Sequence, residues 1–218
     1  MTLLLLLPER DTSALVLALK KRKPTLDIRI WPDVGDRNDI DYAVVWNHPR
    51  GELAKYPNLK VIASYGAGVD HIFRDPELPD HLSITRLTDD SLTKQMAEYV
   101  TGAILNHRLR LTEYREYQAA TSWTPLAPRP GTSVCLLGLG NIGQEVAHSL
   151  NLLNFTICGW SQSAKNIPNV KSYHGNDQLP DALKNADYVV CLLPLTPATE
   201  NILDGKLFQM MKKGSYLI

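Results

Sequence analysis

The stretch Ser133-Val134-Cys135-Leu136-Leu137-Gly138-Leu139-Gly140-Asn141-Ile142-Gly143 decides how this chain is read. A short apolar run leads directly into G-x-G-x-x-G. A helical pattern follows, with Ile142, Val146, Ala147 and Leu150 falling on one face. Strand, glycine turn and helix are the context in which this motif binds a dinucleotide. Gly138 permits a tight turn, Gly140 lets a pyrophosphate approach the backbone, and Gly143 lets the helix pack closely. The free N–H groups of the first helical turn, at the positive end of the helix dipole, then hold phosphate. The bland alternative is an ordinary glycine-rich turn between a strand and a helix.

Around this motif lie 218 residues with 23 basic and 23 acidic side chains, so formal net charge is zero. No basic field points to nucleic acid. The apolar run at residues 3–7 is too short for a signal core or a membrane span and reads as a buried strand. The three cysteines, Cys135, Cys158 and Cys191, sit in separate apolar runs. They are expected to be buried reduced thiols of a cytoplasmic protein. No metal site is expected.

Taken in order, residues 3–7, 27–31, 42–46, 61–64 and 83–86 read as strands. A helix from Thr12 or Ser13 to about Lys23 is expected to turn Leu15, Leu17, Ala18 and Leu19 inward, and residues 51–56 read as a short helix. A long helix over 90–119 is expected to bury a stripe of Met96, Tyr99, Val100, Ala103 and Ile104. A proline-containing linker over 121–131 follows. Beyond it, residues 133–137, 155–160, 172–173, 187–192 and 215–218 read as strands. Residues 180–185 and 204–213 read as helices, the latter with Lys212 and Lys213 in its last turn and Gly214 as its stop. Alternating strands and helices indicate parallel α/β layers. The expected division is a domain over 1–100 and a dinucleotide-binding domain over 101–218, joined by the 90–119 helix.

Five stretches together resemble the D-2-hydroxyacid dehydrogenases: Ser64-Tyr65-Gly66-Ala67-Gly68-Val69-Asp70-His71, Met96-Ala97-Glu98-Tyr99, the 138–143 turn, Leu193-Pro194-Leu195-Thr196-Pro197, and the segment 210–218. Trp46 with His48-Pro49, and Trp160-Ser161-Gln162-Ser163, are most similar to the glyoxylate/hydroxypyruvate reductase branch. The resemblance implies a flavodoxin-like substrate domain and a Rossmann domain. It implies hydride transfer between a nicotinamide cofactor and a small 2-oxo or 2-hydroxy acid, in a cytoplasmic homodimer with no nucleic-acid or membrane partner. It assigns the substrate carboxylate to the backbone N–H groups of Ala67, Gly68 and Val69, an arrangement that forms an anion nest, with Trp46 lining the same pocket. The cofactor falls to Gly138, Gly140, Asn141, Ile142 and Gly143, and to a loop containing Leu193, Pro194 and Thr199.

NAD-specific sites place an acid about 20 residues past the glycines, where it accepts from the ribose 2′-hydroxyl. Here Ser161 takes that place, and Gln162, Ser163 and Lys165 follow. NADPH is therefore expected in preference to NADH. The resemblance places the family's catalytic Arg, Glu and His beyond Ile218, and none of them within 1–218. The chain is thus expected to be the N-terminal two-thirds of such a protein, with its Rossmann sheet cut on the C-terminal side, and to be inert as written. A non-catalytic dinucleotide-binding module of the same fold is the alternative.

Overall fold

A computed structural model describes all 218 residues. The chain forms two compact units, one comprising Met1–Asp89 with Pro194–Glu200, the other Asp90–Leu193 with Asn201–Ile218.

The first unit runs β1 (Thr2–Leu6), α1 (Ser13–Arg22), β2 (Asp27–Ile30), β3 (Ile40–Val45), β4 (Val61–Ser64), α2 (Asp70–Phe73) and β5 (Ser83–Thr85). Every pairing in its sheet is parallel, and the strand order is β2-β1-β3-β4-β5. This is the flavodoxin-like order, with its reversal between β1 and β3. Leu4, Leu6, Ile40, Val45, Leu53, Ile62 and Ile72 fill the core. Strands covered on both faces read as continuous apolar runs, which is why β1 is almost all leucine.

Two expectations for this unit change. Over residues 51–56 the backbone makes only a 3-10 turn, Leu53–Lys55. In α1, Leu15, Val16 and Leu19 are half-buried, whereas Leu17 (72% exposed) and Ala18 face outward. At 3.6 residues per turn, Leu15 and Leu19 share a face, and Leu17, two residues from each, falls on the opposite side; Ala18 lies at the exposed margin of that face.

The second unit runs α3 (Asp90–Arg108), α4 (Leu111–Ala119), β6 (Ser133–Leu137), α5 (Asn141–Leu152), β7 (Thr156–Ser161), β8 (Val170–His174), α6 (Gly175–Leu183), β9 (Tyr188–Cys191), α7 (Gly205–Met210) and β10 (Tyr216–Leu217). Its parallel sheet has the order β10-β9-β6-β7-β8. Counted from β6 and read from β8, this is the 3-2-1-4-5 order of a Rossmann half with its next strands. Val134, Leu136, Val146, Leu150, Ile157 and Val190 form one core cluster, which also takes in Ala97, Val100 and Ile104 of α3. The division expected at residue 100 falls inside α3, and Cα packing groups that whole helix with the second unit.

The single helix expected over 90–119 is two helices. Arg110 adopts φ +58° between them, a left-handed conformation that no helix continues through. Tyr99, expected inside, is 67% exposed, and the inward stripe is Ala97, Val100 and Ile104. α6 begins five residues before Pro180, which lies within it. α7 stops at Met210, so Lys212 and Lys213 lie past its end; Lys212 Nζ reaches Asp187 Oδ1 at 2.6 Å. Of the three free thiols, Cys135 is buried, while Cys158 and Cys191 are half-buried. No helix is long and apolar enough to cross a membrane.

Candidate functional site

In the first unit the loop from Ser64 to Asp70 leaves the carboxyl end of β4. The carbonyls of Gly66, Ala67 and Gly68 are engaged by the protein. Leu87 N–H donates to Gly66 O at 3.2 Å, Arg86 Nη1 to Ala67 O at 3.1 Å, and Ser64 Oγ to Gly68 O at 2.6 Å. With the carbonyls pinned, the N–H groups of Ala67, Gly68 and Val69 make no hydrogen bond within the protein. Consecutive unpaired amides in a fixed turn attract an anion.

A chain of polar groups holds this loop. Asn47 N–H donates to His71 Nδ1 at 3.3 Å, so neutral His71 carries its proton on Nε2 and donates to Ser64 Oγ at 3.0 Å. Ser64 Oγ also accepts from Gly66 N–H. Behind it, buried His48 donates from Nε2 to Asp75 Oδ2 at 3.2 Å. Burial lowers the pKa of both histidines, outweighing the pull of Asp75 on His48 and of Asp70 on His71. Burial pushes the Asp75 carboxyl up, but the N–H groups of Gly51 and Glu77, with His48, outweigh it and hold it below the usual range.

Half-buried Trp46 continues β3, its ring 4.7 Å from that of His71. A Cβ on Gly66 would lie 2.4 Å from Trp46 Cζ3, so the glycine is there to admit the indole. Gly66 and Gly68 do not need glycine's positive φ. The structure thus brings together Trp46, Ala67, Gly68 and Val69. The sequence reading missed Ser64 and His71 as the groups that set the loop, and Arg10. The guanidinium of Arg10 lies over Trp46 and Tyr65, 5.1 and 5.4 Å from the ring centroids.

In the second unit, Gly138 has φ +107°, and a Cβ there would lie 3.0 Å from the Leu192 backbone and 3.3 Å from Leu193 N. Leu193 therefore stands beside the turn. A Cβ on Gly140 would meet nothing within 4 Å. A Cβ on Gly143 would sit 2.1 Å from Gly138 O, so the close approach it permits is to the turn itself. No side chain caps α5, leaving the first-turn N–H groups of Asn141, Ile142 and Gly143 for a ligand. The open space over Gly140 and these amides fit a pyrophosphate.

Ser161 ends β7. Its hydroxyl is buried and donates to Ser163 O at 2.8 Å, which leaves Gln162, Ser163 and Lys165 as exposed donors. Pro194 and Thr199 lie in the segment that groups with the first unit. Thr199 Oγ1 donates to Pro194 O and accepts from Thr196 N–H at 2.9 Å, closing a local turn.

Residues 101–218 match the family profile described as D-isomer specific 2-hydroxyacid dehydrogenase, NAD binding domain. A glyoxylate/hydroxypyruvate reductase A of Yersinia enterocolitica is 37% identical over 207 residues, covering 92% of this chain and 66% of the relative. A D-isomer specific 2-hydroxyacid dehydrogenase of Xanthobacter autotrophicus Py2, solved with NADPH and MES, superposes with TM-score 0.88 at 32% identity, covering 99% of this chain and 70% of that one. An NADPH-dependent glyoxylate/hydroxypyruvate reductase of Sinorhizobium meliloti, solved with NADP and sulfate, gives TM-score 0.83 at 32% identity, covering 97% and 68%. The chain thus spans about two thirds of the length of these relatives. With an NAD-binding motif whose backbone fits a pyrophosphate, a matched profile over more than half its length, and relatives of one kind along the rest, the chain belongs to the D-isomer specific 2-hydroxyacid dehydrogenase family.

Proposed function

We propose that the protein carrying this sequence reduces a small 2-oxo acid of the glyoxylate/hydroxypyruvate type to the 2-hydroxy acid, with NADPH as reductant. The observation that carries the reading is the loop at Ala67, Gly68 and Val69: three unpaired amides whose carbonyls are all tied down. Such a loop suits a carboxylate, the one group every 2-oxo acid carries. The reductase names of the relatives, and the NADPH and NADP in the solved structures, support it.

In this reading the nest orients the carboxylate, and Trp46 forms an apolar wall that limits the substituent. Ser64 and His71 tie the loop in place, so little reorganisation is needed on binding. Gly138, Gly140 and Gly143 with the amides of Asn141 and Ile142 hold the pyrophosphate, with Leu193 beside the turn; the family resemblance adds Pro194 and Thr199 to the cofactor's contacts. When bound, the cofactor supplies the hydride. β7 ends on Ser161 without a carboxylate, and the exposed Gln162, Ser163 and Lys165 would donate to a 2′-phosphate on the adenosine ribose. Assembly as a homodimer in the cytoplasm belongs to the same reading; Trp123, 93% exposed on the 121–131 segment, supports a partner surface there. Light scattering of the purified protein tests that part.

The decisive experiment titrates NADPH and NADH into native protein and Ser161→Asp. Tighter NADPH binding, with a tenfold or greater loss of that preference in the variant, is expected. Equal binding of both cofactors, or an indifferent variant, contradicts the proposed preference.

A further inference from the structure

From the surroundings of Arg10 we infer a specificity element: its guanidinium selects 2-oxo and 2-hydroxy acids that carry a second carboxylate. The inference rests on the substrate reading just given and deepens it.

In a sheet of order β2-β1-β3-β4-β5, the chain leaves β1 in one direction and returns to β3 on the other side. Ligands of open α/β sheets bind outside the carboxyl ends of the strands at such a reversal. Arg10 follows the end of β1, Trp46 the end of β3, and Tyr65 the end of β4. The three therefore converge at that position from separate strands. The turn that presents Arg10 is fixed by Arg10 N–H donating to Leu7 O at 3.2 Å.

The guanidinium is held over two rings but has no anionic partner. It makes no ion pair and no side-chain hydrogen bond, although acids flank it in sequence. Asp11 is engaged by Ser13 N–H at 2.9 Å, and Glu9 sits in a left-handed turn at φ +63°. A guanidinium lying over aromatic faces keeps its planar fork of donors free for a carboxylate. Trp46 links this charge to the nest, since the indole edge lies against Gly66 while Arg10 covers its ring. The cation thus stands across one aromatic ring from the start of the loop whose amides take the first carboxylate. A ligand with carboxylates at both ends of a short carbon chain matches two anion sites so separated.

The test measures affinities by calorimetry in the presence of NADPH, where a 2-hydroxy acid cannot react. D-Malate and D-2-hydroxybutyrate have equal chain length and differ in the second carboxylate. Native protein should bind malate at least tenfold more tightly. Arg10→Ala should bring the two affinities within about twofold of each other, and Arg10→Lys should restore part of the ratio. Raised salt should shrink the native ratio, because the contact is electrostatic. A native ratio near or below one, or a ratio unchanged in Arg10→Ala, overturns the inference. If Gly68→Val still abolishes binding of both acids in that case, the substrate reading survives and only the role of Arg10 falls. If Gly68→Val leaves both affinities unchanged, the substrate reading fails and takes this inference with it.

Discussion

At the scale of single residues, the glycines of the nucleotide turn divide by what surrounds them. Gly143 is required by the fold, since a Cβ would strike a backbone oxygen. Gly143→Ala should therefore destabilise by about 1–3 kcal/mol, the usual cost of overpacking, read as a lower urea midpoint. Gly140 has open space in place of a neighbour. Gly140→Ala should change the midpoint little and weaken NADPH binding at least tenfold. Equal effects of the two variants on stability would show that both glycines serve only the turn.

The histidines give a pH prediction with a definite sign. His48 and His71 are buried, and burial lowers both pKa values below the ordinary histidine value of about 6.5. The unfolded chain then binds more protons than the native one in mildly acidic solution. The stability from neutral His48 and His71 is fully present above pH ~6.5 and is lost as pH falls through the lowered native values. Asp75 and the other carboxylates with lowered pKa lose their contribution only below about pH 4, a separate window. Urea unfolding at pH 7.5 and 5.5 should show a fall in stability that is smaller in His71→Asn. A flat or rising profile would mean that these rings are charged in the native protein.

At the scale of elements, what the sequence discloses depends on whether the cause is local. Strands β1 and β6 were legible because two-sided burial writes itself as a nearly unbroken apolar run. The amphipathic face of α5 was legible for the same reason, with Val146, Ala147 and Leu150 buried as expected. The break between α3 and α4 was not, because the left-handed residue is an arginine and neither Gly nor Pro marks the place. Its reason is tertiary. Arg110 Nε donates to Ala127 O at 2.9 Å, and Glu113 pairs with both Arg110 and Arg129. Tyr114 Oη donates to Leu126 O at 3.1 Å and accepts from Leu126 N–H at 2.9 Å. α4 is thus latched to the segment over 121–131. Tyr114→Phe removes both bonds to Leu126, so limited proteolysis within 121–131 should quicken severalfold with little change in overall stability. An unchanged cleavage rate would place the latch elsewhere. The site divides in the same way. The glycine turn and the Gly66–Val69 loop could be read from adjacent residues. The Ser64–His71 bond carried only the weak signal of two polar residues flanking a glycine loop. Arg10 carried none, because its ring partners are 36 and 55 positions away.

At the scale of the whole molecule, each unit has its own parallel sheet and its own buried cluster. A fully buried residue of either core is expected to matter first to its own unit. Ile62→Ala should cost about 2–5 kcal/mol, and hydrogen exchange should rise most at the amides of β1, β3 and β4. Exchange rising equally in β6, β7 and β9 would mean that the molecule opens as one cooperative body.

In the proposed reading, one unit holds a 2-oxo acid by its carboxylate while the other holds NADPH. Calorimetric titration of NADPH, followed by glycolate, into native protein and Gly68→Val tests it most directly. Native protein should bind both, and the variant should keep its NADPH affinity within about twofold while losing glycolate affinity at least tenfold. Unchanged glycolate affinity in Gly68→Val, or no binding of NADPH by the native protein, would contradict it.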